Sequence, residues 1–146
     1  MYEVLRADKL WQQAGAYYVR IQGMGKAHQI SLREEFDEHD GPETKYIVIL
    51  DGVTPVATCR IYELSSGVVM LGRLVVLPEY RGQGLGRRTI TEAEQWAVEL
   101  GYQKACLESR VEKVSFYEKL GYTVMDETVI HGGTFDCIAM SKMLVE

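Results

Sequence analysis

Apolar residues recur along the chain in two rhythms. After Asp8, which can cap a helix, Leu10, Ala14, Tyr17, Ile21 and Met24 follow at steps of 3 and 4. That spacing predicts a helix over about residues 9–24 with those side chains on its buried face. The rhythm returns at Ile90, Ala93, Ala97 and Leu100, which predicts a helix over about residues 85–100 with Gly101 as its C-terminal cap. Residues 111–120 read as a third helix, capped by Gly121. Short runs near residues 2–5, 45–50, 53–64, 68–77, 104–108, 122–130 and 135–144 read as strands. Asp51-Gly52 and Ser65-Ser66-Gly67 supply tight turns, and Pro78 stops the strand before it. Without a repeat or a Pro/Ser-rich linker, the order β-α-βββ-α-β-α-ββ predicts one α/β (α+β) domain over residues 1–146.

Composition narrows the class. The chain has 146 residues, 47% of them apolar and 25% charged, which suits a globular domain with its own core. No apolar run reaches the roughly 18 residues of a membrane helix and no secretory signal is visible, so a cytoplasmic protein without a membrane partner is expected. The net charge of −5 argues against general nucleic-acid binding. Cys59, Cys106 and Cys137 are scattered, without CxxC spacing, which fits a reducing compartment and argues against structural zinc. His39 and His131 have no partner spacing for a metal and read as surface or loop residues, so no metal is expected.

The segment Arg81-Gly82-Gln83-Gly84-Leu85-Gly86-Arg87-Arg88 follows a strand and opens a helix. Glycines let the chain turn tightly and let a ligand approach the amides, and a helix N-terminus offers unpaired N–H groups. Residues 73–88 carry four arginines against the single acid Glu79. An arginine-rich stretch in an acidic chain suits a small phosphorylated ligand. No lysine follows the glycines as a Walker loop requires, and the third glycine of a dinucleotide fingerprint is missing, which disfavours ATP and NAD. A plain strand-to-helix turn with surface arginines stays open at this level.

The stretch Leu71-Gly-Arg-Leu-Val-Val-Leu-Pro-Glu-Tyr-Arg-Gly-Gln-Gly-Leu-Gly86 resembles the acetyl-CoA motif of the GNAT superfamily of N-acetyltransferases, [R/Q]xxGx[G/A], met by Arg81, Gly84 and Gly86. Phe116-Tyr-Glu-Lys-Leu-Gly-Tyr122 resembles the family's late tyrosine-bearing helix. Arg33-Glu-Glu-Phe-Asp-Glu-His-Asp40 and Ile138-Ala-Met-Ser-Lys142 are similar to a small bacterial subgroup, ElaA-like and YjcF-like. The resemblance implies a mixed, mostly antiparallel central sheet flanked by helices. It implies acetyl-CoA as co-substrate, CoA as product and a small-molecule or peptide amine as acceptor. Carried over by position, main-chain groups of Leu74, Val75 and Val76 would hold the acetyl and pantetheine part. Amides from Arg81 through Gly82, Gln83, Gly84, Leu85 and Gly86 to Arg87 would hold the pyrophosphate, with Arg88 screening it. Tyr117 would be the general acid.

The general base is less well marked. His28, Glu34, Glu35, Glu108 and Cys137 are candidates, and direct use of water is another route. Glu108 ends the strand after the loop helix, and His28 follows the first helix with a side-chain type that commonly serves as a general base. Three departures fall on the acceptor side. The subgroup often carries Glu-Gln where this chain has Ala27-His28, Gln at Arg110, and a histidine at Cys137. The acidic stretch over residues 34–43 holds six carboxylates, either a solvated loop or an attractor for a cationic amine. Besides N-acetyl transfer by direct attack in a ternary complex, two readings remain. One is a catalytically silent acyl-CoA sensor or partner module. The other is an acyltransferase with another acyl chain or acceptor. An exposed final strand would allow a homodimer.

Overall fold

The computed structural model describes residues 1–146. Its strands are β1 (Tyr2–Arg6), β2 (Lys45–Asp51), β3 (Thr54–Ser65), β4 (Val68–Val76), β5 (Lys104–Arg110), β6 (Thr123–Val124), β7 (Ile130–His131) and β8 (Asp136–Met143). They form one sheet in the order β1-β2-β3-β4-β5-β8-β6, with β7 also on β8. Only β4 and β5 run parallel; every other pair is antiparallel. Helix α1 (Leu10–Arg20) continues through a π-helical turn, Ile21–Gly25, into α2 (Lys26–His28). Helices α3 (Leu32–Glu35), α4 (Leu85–Glu99) and α5 (Val114–Glu118) follow. No helix is long and apolar enough to cross a membrane.

Helices cover both faces of the central strands, so β2 is buried without alternation from Tyr46 to Leu50. Ile47 packs with Ile90, Ala93 and Ala97 of α4, together with Cys59, Leu71, Leu107 and Met140. Tyr46, Val48 and Leu50 point the other way and pack on Ala16 of α1. Arg6 of β1 ties the sheet to α4 through Glu92 at 2.7 Å and Glu99 at 2.6 Å.

The inward face of α1 and the turn after it is the expected one only in part: Tyr17 and Met24 pack against buried clusters, but the first turns do not follow the predicted stripe. Leu10 is 81% exposed and Ala14 is exposed, while Gln12, Gly15, Ala16, Val19 and Arg20 are buried. Its N-cap is Lys9, and Gln12 Oε1 accepts from the Asp8 and Lys9 N–H groups at 2.8 and 3.0 Å. Small residues decide the inward face because they let the helix lie close to the sheet. A Cβ on Gly15 would sit 3.2 Å from Pro55 Cγ, and one on Gly23 only 2.4 Å from Val75 Cγ1. Gly23→Ala is therefore expected to destabilise by about 1–3 kcal/mol through overpacking, read as a lowered melting temperature. An unchanged melting point would mean that the π-turn yields freely.

Other boundaries also shift. Leu100 is exposed rather than on the inner face of α4. The third helix is a 3-10 turn, Val111–Lys113, followed by the short α5. In place of a strand over 122–130, only β6 and β7 form, two residues each. The final strand is not a free edge: β8 pairs with β5 on one side and with β6 and β7 on the other. Strand pairing through an exposed β8 therefore has no basis.

Candidate active site

The site begins where two parallel strands part. Pairing of β4 with β5 runs from Val68↔Lys104 to Leu71↔Leu107 and stops. Beyond it, β4 stays on β3 and β5 on β8, so a cleft of about 710 Å³ opens between them. Near its end β4 is regular: Ala57 faces Val76, and the Leu77 N–H donates to the Val56 carbonyl at 2.9 Å. N–H directions alternate along a strand. Val76 and Leu74 thus turn their main-chain N–H groups away from β3 into the gap, while Val75 turns its own toward β3. The Val76 carbonyl accepts from Arg81 Nε at 3.0 Å.

The strand leads into the glycine loop. Gly82 and Gly84 have φ of +79° and +78°, and a Cβ at either would meet nothing within 4 Å. Their requirement is therefore backbone conformation, with open space left above the loop. Gly86 differs, because a Cβ there would lie 3.3 Å from Phe116 Cζ. The first helical bond of α4 runs from Arg88 N–H to the Gly84 carbonyl. The amides of Leu85, Gly86 and Arg87 precede it and have no intrahelical acceptor, a ready anion site at a helix N-terminus. Arg81 and Arg87 also line the cleft. Gln83 and Arg88 do not: Gln83 accepts from Tyr2 through its side chain, and Arg88 is exposed on the loop helix.

On the opposite wall, α5 sets Tyr117 into the cleft, with its ring edge-on to Phe116 at 5.0 Å and to Tyr122 at 6.0 Å. Burial pushes its phenol well above the usual tyrosine range; Cys59 and Cys137 add to this and Arg110 opposes it. Tyr122 donates to Glu94 Oε2 at 2.8 Å, whereas no side chain hydrogen-bonds the Tyr117 hydroxyl. Glu108, Cys137 and His28 line the same cleft. Glu108 is exposed to it and has no salt-bridge partner, unlike Glu112, which holds Arg110 Nε at 2.7 Å. Burial raises the Cys137 thiol and Glu108 reinforces this, so the neutral thiol is favoured. His28 stacks edge-on against Phe135 at 5.1 Å, and the Arg110 guanidinium lies 3.9 Å over the same ring. This sandwich joins α2, β5 and the turn before β8 at the cleft mouth. The three departures noted in the sequence, at residues 27–28, 110 and 137, meet here.

The acidic stretch divides: Glu34, Glu38 and Glu43 are exposed, as on a solvated loop, while Glu35, Asp37 and Asp40 are taken up by arginines. Glu35 and Asp40 hold Arg20 at 2.9 and 2.7 Å, and Asp37 and Asp40 hold Arg60 at 2.9 and 3.1 Å. Asp37 and Glu35 in turn hold Arg73 at 3.1 and 3.4 Å. Three arginines and three carboxylates so close a ring. Glu34 serves a capping box with Ser31 at the start of α3. Neither Glu34 nor Glu35 lines the cleft. Sequence reasoning missed Met24, Arg73 and Phe135 on the cleft wall. Arg73 sat inside the quoted motif; its neighbours from residues 35–37 were the missing signal.

A family model described as the acetyltransferase (GNAT) family matches residues 7–122. The uncharacterized N-acetyltransferase YjcF of Bacillus subtilis (strain 168) is 33% identical over 116 residues, 80% of this chain and 81% of its own. Among solved structures, a candidate N-acetyltransferase from Lactobacillus plantarum superposes with a TM-score of 0.92 at 28% identity, covering 99% of both chains. ElaA of Escherichia coli superposes at 0.80 with 18% identity over 97% of this chain and 98% of its own, a likeness of fold.

Proposed function

The chain belongs to the GNAT family of acetyltransferases, and on that premise we propose that it moves an acetyl group from acetyl-CoA to an amine by direct attack in a ternary complex. The family makes it an acyl-CoA-dependent transferase. One observation carries the finer reading. The gap between β4 and β5 runs without a break into the open N-terminus of α4, so a strand edge and an anion site share one cleft.

Acetyl-CoA would supply the activated acyl group; the rest is the work of this chain. The amides of Gly84 to Arg87 bind the pyrophosphate, and Arg81 and Arg87 add positive charge. The Leu74 N–H donates to the thioester oxygen and favours the charge that grows there. Glu108 takes the amine proton, directly or through a water, being the cleft carboxylate without a cationic partner. Tyr117 donates its phenolic proton to the departing sulfur. Holding both reactants in the cleft supplies much of the remaining effect.

Thermal melting with acetyl-CoA, CoA, NAD and ATP side by side tests the cofactor half. Acetyl-CoA and CoA at about 100 times their Kd are expected to add roughly 2.7 kcal/mol, and NAD and ATP nothing. CoA release with a panel of amines tests the transfer. No shift with either CoA species would return the glycine loop to a structural turn.

A further inference from the structure

Arg73 is the member of the charge ring that lines the cleft, and it is also where the backbone of β4 breaks its pattern. Thr58 faces Val75 but Arg60 faces Gly72, so Cys59 alone spans Arg73 and Leu74. This is a β-bulge with one extra residue in β4. Arg73 has φ of +48°, a left-handed conformation that residues with a Cβ rarely adopt. The bulge comprises Arg73 and Leu74 and lies past the last β4–β5 pair.

Such a conformation persists when its surroundings over-determine it, and here they do. Arg73 Nε donates to the Glu35 carbonyl at 3.2 Å and a terminal N–H donates to Asp37 Oδ2 at 3.1 Å. Glu35 is itself fixed by Arg20, and Asp37 by Arg60. The grip on Arg73 is therefore part of a closed ring of ion pairs rather than a lone surface pair. Its geometric consequence is specific. A one-residue change of register turns every following residue over. Without the bulge, the Leu74 N–H would face β3 and the Val75 N–H the gap.

We propose that Arg73 is a positioning residue for acyl transfer: gripped by Glu35 and Asp37, it holds the left-handed turn that aims the Leu74 N–H into the cleft. The inference rests on the acyl-transfer reading above. It makes α3 and the segment after it, which do not line the cleft, a support of the reacting geometry.

Three variants of the full chain test it: Arg73→Ala, Arg73→Gly and Asp37→Asn. Alanine removes the grip and disfavours the left-handed turn, whereas glycine removes the grip but accepts the turn freely. With acetyl-CoA and a reactive amine, Arg73→Ala and Asp37→Asn are expected to lower kcat at least about tenfold, with KM for acetyl-CoA nearly unchanged. Arg73→Gly is expected to regain much of the loss seen with alanine. In the free protein, the backbone amide resonances of Leu74 and Val75 should move in Arg73→Ala and less in Arg73→Gly. An arginine that only contacted the acceptor would make glycine and alanine equally poor, which overturns the proposal. So would unmoved Leu74 and Val75 resonances in folded Arg73→Ala. A wild-type protein that releases no CoA with any amine overturns the acyl-transfer reading and the catalytic half of this inference. The resonances then decide alone whether Arg73 holds the turn.

Discussion

Replacing Arg20 by methionine is expected to destabilise the fold by about 3–5 kcal/mol, the cost of breaking a buried ion pair by removing one partner. Arg20 is 0% exposed, with Glu35 and Asp40 on its guanidinium and the Phe36 ring 4.3 Å beneath it. Methionine keeps most of the stem volume but leaves two carboxylates facing a smaller positive charge. At roughly 2–4 °C per kcal/mol for a chain of this size, the melting temperature falls by about 6–20 °C. A loss under about 1 kcal/mol would mean that the ring behaves like exposed pairs. Adding Asp40→Asn to Arg20→Met is expected to return part of the loss, because the buried carboxylate left with Arg60 as its one arginine is then gone.

The same ring predicts an acid response. Burial alone would raise the Asp40 carboxyl, but hydrogen bonds from Arg20, the Asp37 N–H and Tyr46 outweigh it and hold the carboxyl far below the usual range. The folded-state value is depressed, so the stabilisation is present above the ordinary aspartate value of about 3.9 and is lost as pH falls below it. In Arg20→Met the acid-side loss should be shallower, since the main partner holding Asp40 ionised is absent. Melting curves taken downward from neutral pH read this directly.

This ring was invisible along the chain because each of its charges looks ordinary there. Residues 34–43 read as an acidic run, and their arginine partners lie on α1, β3 and β4, as far as 38 residues away. What could be read was local. The glycine loop announces a strand-to-helix turn through residues whose φ values demand glycine, and FYEKLGY marks the helix that carries Tyr117. The β2–β3 hairpin followed from its apolar runs and Asp51-Gly52. The face of α1 could be read by periodicity only in part, because its inward side uses Gln12, Gly15 and Arg20 beside Ala16 and Val19 while Leu10 and Trp11 point outward. Closeness of approach, at Gly15 to Pro55 and at Gly23 of the following π-turn to Val75, decided the face together with the apolar contacts. The left-handed Arg73 has no local signature at all, since arginine has no preference for that conformation. It is imposed by contacts made after the chain has folded.

Tyr117→Phe is expected to lower kcat by about 100-fold or more while leaving KM for acetyl-CoA nearly unchanged. The ring still packs against Phe116 and Tyr122, and no protein hydrogen bond is lost, so the variant should melt within about 1 kcal/mol of the wild type. The missing atom would be felt only when the sulfur departs. Burial raises this phenol, which would make it a poor acid in water. In the cleft the same exclusion of water disfavours the thiolate, so the proton moves between two anions that are both raised. Because the phenol lies above its ordinary range, Tyr117 stays protonated throughout the range in which the enzyme would be assayed. Any fall in kcat below about pH 10 must then come from another group. A wild-type alkaline limb that persists unchanged in Tyr117→Phe would agree with this. Turnover in Tyr117→Phe within about threefold of the wild type would instead remove the phenol from the chemistry and leave the thiolate to depart unaided.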